Sequence, residues 1–434
     1  MGTILIKGGR VCDPASGRDE RADVLIRAGK IAEVGTVKAG ADEVIDAAGK
    51  IVCPGLIDMH VHLREPGDDE VETIASGAAA AVAGGFTTVA AMPNTDPPAD
   101  SAPGVEYVAL QARRAGFANV CPVGTITKGR KGEELAELGV LSRAGAVGFT
   151  DDGDPVASAE LMRRALEYAA MLEKPVLTHA EDRQLSAGGV IHEGLASAAL
   201  GLAAIPAASE SIAVARDITL AEMTGARLHV QHVSVAASVD EIRRAKARGV
   251  HVTAEATAHH LTLTDECLLE RDENDILTFN TKYKMNPPLR SQKDVDALRE
   301  GLRDGAIDCI VSDHAPHSAQ SKSVEFPEAS FGVIGLETTL AVVITELIKP
   351  GVLGWMEAVA ALTVNPARVL GTPKGTLAVG ADADVTLIDP DCEWTVDSGA
   401  FRSKSRNTPF HGRRVKGKAV CVIVGGEVKL PALA

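Results

Sequence analysis

DMHVHLREP, Asp58–Pro66, closes an apolar run with two histidines spaced two residues apart. On a β-strand, residues i and i+2 share a face, so His60 and His62 can grip one metal ion without any bend in the backbone. Two imidazoles alternating by accident on a half-buried strand would look the same, so the other strand ends must decide. Outward from this stretch the chain repeats a strand-then-helix rhythm. Eight apolar strand candidates end near His62, Asn94, Thr127, Asp152, Ala180, Ser234, His260 and His317. Segments of helical character lie between them, among them Glu133–Ala144, Ala159–Leu172, Ala208–Met223 and Ser238–Ala247. Eight β/α units in about 300 residues predict an α/β fold, a TIM (β/α)8 barrel, over residues 53–365. A doubly wound sheet is the alternative, but it does not normally use eight strands, and no GxGxxG turn is present.

The two ends of the chain echo one another. ILIKGGRV (Ile4–Val11) matches VIVGGEV (Val422–Val428), and ADVLI (Ala22–Ile26) matches ADVTLI (Ala383–Ile388). Short alternating strands separated by Gly or charged turns predict that residues 1–52 and 366–434 join in one small β-sandwich domain. The barrel is then an insertion between its halves.

Of the 434 residues, 45% are hydrophobic and 24% charged, the composition of a soluble globular protein. A net charge of −15 argues against nucleic acid as a partner. The one basic cluster, Arg402–Lys418, with Arg413, Arg414, Lys416 and Lys418, reads as solvated surface. Ala75–Met92 has the length of a membrane span but consists of small residues broken by Gly84-Gly85, which predicts a helix running into a strand. No membrane association is expected, and MGTILIKGGR lacks the apolar core of a signal peptide. Seven cysteines (12, 53, 121, 267, 309, 392 and 421) without CxxC spacing predict reduced thiols in a cytoplasmic protein.

The polar residues fall where a barrel would gather them. Strand one ends in His60 and His62, strand four in Asp151-Asp152, strand five in His179, strand six in His232 and strand eight in Asp313. The C-terminal ends of barrel strands surround one point. Imidazole and carboxylate suit zinc, and the ligands exceed what one four-coordinate ion needs, so a pair of ions sharing one carboxylate is the simpler arrangement. Such ions activate water near neutral pH for attack on an amide carbon, and Asp313 is positioned to carry a proton to the leaving nitrogen. Arg64 offers a planar fork for a carboxylate. Asn94 in MPNTDPP and Asn286 in MNPPLR can bond amide or carboxylate groups, although turn formation beside proline accounts for them equally well. His317 is a candidate substrate contact, His314 a supporting residue, and His259-His260 lower-ranked ligands. The polar segment Ser318–Ser330 reads either as a mobile lid or as a plain surface loop.

These motifs resemble the cyclic amidohydrolase superfamily and, within it, the type I bacterial dihydroorotases. The resemblance rests on GLIDMHVHLREPG (Gly55–Gly67), AMPNT (Ala91–Thr95), FTDDG (Phe149–Gly153), THAED (Thr178–Asp182), QHVS (Gln231–Ser234), KMNPPLR (Lys284–Arg290), SDHAPH (Ser312–His317) and SRNTPFHG (Ser405–Gly412). Allantoinases and hydantoinases share the HxH run but carry a carboxylated lysine at strand four, where this chain reads FTDDG. The resemblance implies that Asp152 bridges two metals and that Asp151 faces away. It makes His60, His62 and Asp152 ligands of one zinc ion, puts Asp152, His179 and His232 on a second, and makes Asp313 both ligand and proton shuttle, with one or two ions bound. It implies that Arg64, Asn94, Asn286, His317 and the backbone of Phe331-Gly332 hold dihydroorotate, with His62 beside it. The segment between His260 and Lys284 is longer than the class pattern. The implied activity is the zinc-dependent, reversible cyclisation of N-carbamoyl-L-aspartate to L-dihydroorotate in pyrimidine synthesis. Two alternatives remain at this point. One is a hydantoinase- or allantoinase-like amidohydrolase; the other is a noncatalytic subunit supporting aspartate carbamoyltransferase, an enzyme with which an active chain could also associate. Inactive relatives are marked by lost ligands, and none is lost here. A homodimer is expected from the general prevalence of twofold association.

Overall fold

The strand leading into the histidine pair, Leu56–Val61, is buried at every residue, as a parallel strand covered on both faces should be. The computed structural model describes residues 2–430; Met1 and residues 431–434, the extremes of the expected small domain, lie outside the described residues. Leu56–Val61 pairs in parallel with Phe86–Ala91, which pairs in parallel with Asn119–Pro122. Single parallel bridges carry the pairing through Gly124 and Phe149 to Val176–Thr178. It continues through Leu228–Val230 and Val252–Thr257 to Cys309–Val311, and a bridge from His314 to Val61 returns it to the first strand. The parallel pairings therefore make one circuit.

The helices between these strands follow the sequence pattern with two adjustments. Ala159–Met171, Ala208–Thr224 and Ala236–Ala247 stand within two residues of their expected bounds. The helix expected over Glu133–Ala144 is only Leu138–Ala144, because Lys128 donates to the Glu134 carbonyl and Ala136 to that of Ile126, drawing residues 134–136 into a hairpin-like turn. Ala75–Met92 is a helix, Ile74–Gly84, followed by the strand Phe86–Ala91. No helix among the described residues is long and apolar enough to cross a membrane. The strands themselves stop short of the expected ends, at Val61, Ala91, Pro122, Thr178, Val230, Thr257 and Val311. After Val61, Val230 and Val311 the reason is conformational. Arg64, His232 and Asp313 sit at φ 59°, 32° and 45°, left-handed values that no ladder accommodates.

Two apolar layers hold the circuit together. Inside it, Ile57, Met59, Ala90, Leu177 and Val311 pack on Ala367, Val369 and Leu370 from the helix Val364–Leu370, which closes one end. Outside it, Phe86, Phe149, Leu166 and Leu228 meet the surrounding helices in the largest cluster. The chemistry therefore has only the opposite end available to it.

The terminal segments form one eight-stranded sheet, in which Glu427–Leu430, Arg414–Val424, Val385–Thr395, Ile51–Pro54, Thr3–Asp13, Arg18–Arg27 and Lys30–Gly35 follow in order, with Glu43–Asp46 on Thr3–Asp13. The echoing stretches thus lie in a single sheet, joined where Ile51–Pro54 pairs with Val385–Ile388. Register shifts between Ile6 and Gly9, where Gly8 takes φ 76° and a Cβ on Gly9 would lie 2.5 Å from Val52 Cγ2. Residues of both ends, among them Ile4, Val24, Val52, Val385 and Ile423, enclose a second core. In the basic cluster, Lys416 pairs with Glu393 and Arg413 lies near Glu346, in keeping with an exposed surface.

Candidate active site

At the open end of the circuit six side chains converge. His60 lies in the first strand and His62 just beyond it; His179 follows Val176–Thr178, His232 lies two residues past Val230, and Asp313 two past Val311. Asp152 follows the Phe149 bridge. All six are buried. Asp152 Oδ1 lies 3.5 Å from His60 Nε2, 3.5 Å from His179 Nδ1 and 3.4 Å from His232 Nε2, and its Oδ2 lies 3.4 Å from His62 Nε2. Asp313 Oδ1 is 3.1 Å from His62 Nε2 and 3.6 Å from His60 Nε2. Asp151 faces away, as alternation requires, and accepts hydrogen bonds from the Ile126 and Thr127 amides and the Thr127 hydroxyl.

These separations test whether the residues fit a metal. Two ligand atoms each about 2.1 Å from a tetrahedral ion stand about 3.4 Å apart. His60 Nε2 and Asp152 Oδ1, though buried, have no hydrogen-bond partner among the described residues, so the cluster carries polar atoms of the kind a bound cation satisfies. His60, Asp152 and His232 form one group able to hold an ion, and His60, His62 and Asp313 another. Burial alone would raise the carboxyls of Asp152 and Asp313, but the facing histidines outweigh it and hold both below the ordinary carboxylate range. The residues fit one or two divalent cations.

The far nitrogens of three histidines are tied down. His60 Nδ1 contacts Glu255 Oε1 at 2.5 Å, His62 Nδ1 contacts Asn94 Oδ1 at 2.8 Å, and His179 Nε2 contacts Glu181 Oε2 at 3.2 Å. An acceptor behind each ring places the proton there and turns the bare nitrogen to the cluster. Glu255 also meets His229 Nε2 at 3.1 Å. Burial works against its charge, but His60 and His229 bring its carboxyl down to about 2.

Over the cluster opens a cavity of about 490 Å³ that includes Arg64, Asn94, Asn286, His317, Phe331 and Gly332 in its wall. The Arg64 side chain is held by one bond, Nε to the Pro316 carbonyl at 3.1 Å, with no other side-chain hydrogen bond or ion pair among the described residues. Asn94 has its oxygen committed to His62, leaving its NH2 group for a ligand. Asn286 Nδ2 stands 3.3 Å from Glu181 Oε2. His317 Nε2 donates to the Phe331 carbonyl at 2.6 Å, and burial followed by the nearby Arg64 and Lys322 push its imidazole down to about 3. The Gly332 backbone is anchored within this wall: its amide donates to the Lys284 carbonyl and its carbonyl accepts from Lys322 and Asn407. Those groups are occupied because this wall is built from carbonyls turned toward buried donors.

The remaining histidines lie outside the cluster. His314 contacts Glu72 Oε2 at 3.3 Å and accepts from the Gly335 amide. His260 is satisfied by the Thr257 hydroxyl and the Pro287 carbonyl; His259 is buried and belongs to neither metal-binding group. Sequence reasoning missed Glu255, Glu181, Lys284 and Lys322. Glu181 was visible inside THAED, and the only signal for Glu255 was a charged residue amid the apolar run VTAEAT.

Comparison with known proteins agrees with this geometry. Residues 49–238 match the family model described as dihydro-orotase-like. The chain is 57% identical to a dihydroorotase of Pelotomaculum thermopropionicum and 52% identical to one of Syntrophotalea carbinolica, with 98% of each chain covered. Among solved structures, an L-hydantoinase (dihydropyrimidinase) from Arthrobacter aurescens superposes with a TM-score of 0.85 at 29% identity, over 100% of this chain and 98% of that one. A D-hydantoinase structure gives 0.82 at 29% identity, over 99% and 95%. Relatedness along nearly the whole length, around a buried cluster of four histidines and two aspartates, means that the chain belongs to the dihydroorotase-like family of cyclic amide hydrolases.

Proposed function

We propose that the protein is a zinc dihydroorotase of the type I bacterial class, interconverting N-carbamoyl-L-aspartate and L-dihydroorotate in pyrimidine synthesis. The observation that carries this reading is Asp152, whose carboxylate lies within 3.5 Å of four histidine nitrogens at the position where the resembling hydantoinases use a lysine. His60, His62, Asp152, His179, His232 and Asp313 would hold one or two zinc ions. Zinc supplies water activation near neutral pH and polarisation of the ring amide carbonyl. Asp313 takes the proton released on attack and delivers it to the departing ring nitrogen. Arg64 receives the substrate carboxylate through its uncommitted guanidinium N–H groups. Asn94, Asn286, His317 and the Phe331-Gly332 pair orient the ring beside His62.

The same reading takes residues 53–365 as a TIM (β/α)8 barrel and residues 1–52 with 366–434 as a β-sandwich folded around the second core. The closed run of pairings supports the barrel. Helix Val364–Leu370 crosses the boundary and packs with the barrel strands, which favours moving that boundary past Leu370. We further propose a cytoplasmic homodimer able to associate with aspartate carbamoyltransferase. Zinc analysis together with turnover of dihydroorotate, dihydrouracil, hydantoin and allantoin tests the activity. Turnover confined to dihydroorotate is expected; preference for hydantoin or dihydrouracil would replace this reading with the hydantoinase one.

A further inference from the structure

The segment Ser318–Gly332 is fastened from beneath by two lysines that have no carboxylate partner among the described residues. Lys322, at the end of the short helix Ala319–Lys322, is 8% exposed. Its Nζ donates to three carbonyls, Ser330 at 2.8 Å, Gly332 at 3.0 Å and Lys284 at 3.1 Å, which uses all three ammonium protons. Lys284 is 2% exposed, and its Nζ donates to the Phe326 and Pro327 carbonyls at 2.9 and 2.8 Å while standing 4.4 Å over the Phe331 ring. The backbone completes the brace. Gly332 donates to the Lys284 carbonyl, Ser330 to that of Ser321, and the Thr281 hydroxyl to that of Lys322.

The brace connects directly to the cavity wall. Lys284 is two residues before Asn286, and the segment it holds presents Gly332 and Phe331, whose carbonyl fixes His317. Asn407 ties the same wall from another side, donating to the Ala315 and Gly332 carbonyls. Buried ammonium groups are costly to desolvate unless their protons are all used, so two of them in one small volume mark a place where the backbone must be held in one position.

We infer that Lys284 and Lys322 are positioning residues for substrate: by gripping carbonyls of residues 326–332 they hold Asn286, His317 and Phe331 at fixed spacing, making this segment a rigid wall of the substrate site rather than an opening lid. The inference rests on the proposed activity only in taking this cavity as the substrate site. Neither lysine touches the reacting atoms, so their loss removes binding common to ground and transition states and acts on KM.

The test is steady-state kinetics of Lys322→Met and Lys322→Gln in the zinc-loaded, full-length protein, with dihydroorotate or whichever of the four cyclic amides the wild type turns over. The expected result is a KM raised about tenfold in Lys322→Met, which loses all three carbonyl hydrogen bonds and so loosens the wall, with kcat within about threefold of wild type. Lys322→Gln, which keeps two N–H donors, should lie between, and it carries the test if the methionine variant does not fold. An unchanged KM, or kcat falling in step with thermal stability while KM holds, would overturn the inference. Failure of the wild type on dihydroorotate would instead refute the proposed substrate and leave this comparison intact.

Discussion

Replacing Glu255 with glutamine should weaken zinc binding beyond any cost to the zinc-free fold. The carboxylate accepts from His60 at 2.5 Å and from His229 at 3.1 Å, and all three side chains are wholly buried. Glutamine keeps an oxygen for His60 and turns its NH2 toward His229, whose other nitrogen already has the Thr253 hydroxyl as partner. The geometry survives, then, and what disappears is the negative charge that makes His60 a stronger donor. Loss of such a partner behind a ligating histidine costs about 10- to 100-fold in metal affinity, which is about 1.4–2.7 kcal/mol. The same range applies to about one charge-assisted hydrogen bond, ~1.5–3 kcal/mol. The assay is competition for zinc against a chromophoric chelator, alongside thermal unfolding with and without the ion. The stabilisation that saturating zinc confers should shrink by the lost binding energy, and the zinc-free midpoint should also fall at neutral pH, because His60 and His229 make the Glu255 charge favourable in the fold. Unchanged zinc affinity in a folded Glu255→Gln protein would refute the claim that this carboxylate tunes His60.

Three further outcomes follow from groups around the site and beyond it. Asp313→Asn should lower kcat by roughly 10²–10⁴ while zinc content and circular dichroism are retained; near wild-type turnover would remove Asp313 as proton carrier. Arg64→Met should raise KM for dihydroorotate by roughly tenfold to a hundredfold, and an unchanged KM would mean that the substrate carboxylate binds elsewhere. Burial pushes Glu337 up to about 7 from an ordinary value of 4.5, although the Arg402 and Ser403 amides donate to it. An acid whose folded value is raised stabilises the fold below its unfolded value and loses that contribution as pH rises through the folded one. The thermal midpoint of the wild type should therefore fall relative to Glu337→Gln between pH 4.5 and 7, and parallel pH profiles would contradict this.

What could be read from the chain and what could not divide along a physical line. His60, His62, His179, His232 and Asp313 were legible because each follows a short apolar strand, and parallel strands in succession carry their ends to one side. Strand lengths were overestimated at His232 and Asp313 because apolar character continues into residues whose left-handed backbone has already left the ladder. Glu255 escaped notice for the opposite reason. It lies within Val252–Thr257, where its partners His60 and His229 come from strands far away in sequence. The role of Ser318–Ser330 was undecidable from composition, since a small polar loop and a braced wall differ only in what Lys284 and Lys322 reach.

The terminal sheet has a consequence for biosynthesis. Cys53 meets Thr386 across 333 residues of chain, so the N-terminal strands leave the ribosome with an unpaired edge. At cellular elongation rates that edge waits roughly 20–70 s for its partner. Thr3–Asp13 can pair with Arg18–Arg27 at once, but Ile51–Pro54, apolar and short, has no partner on the Val385 side until Val385–Ile388 has been synthesised. Nascent chains stalled before Val385 are thus the species in which an exposed strand edge invites association with other chains, and holding that edge becomes a task for chaperones.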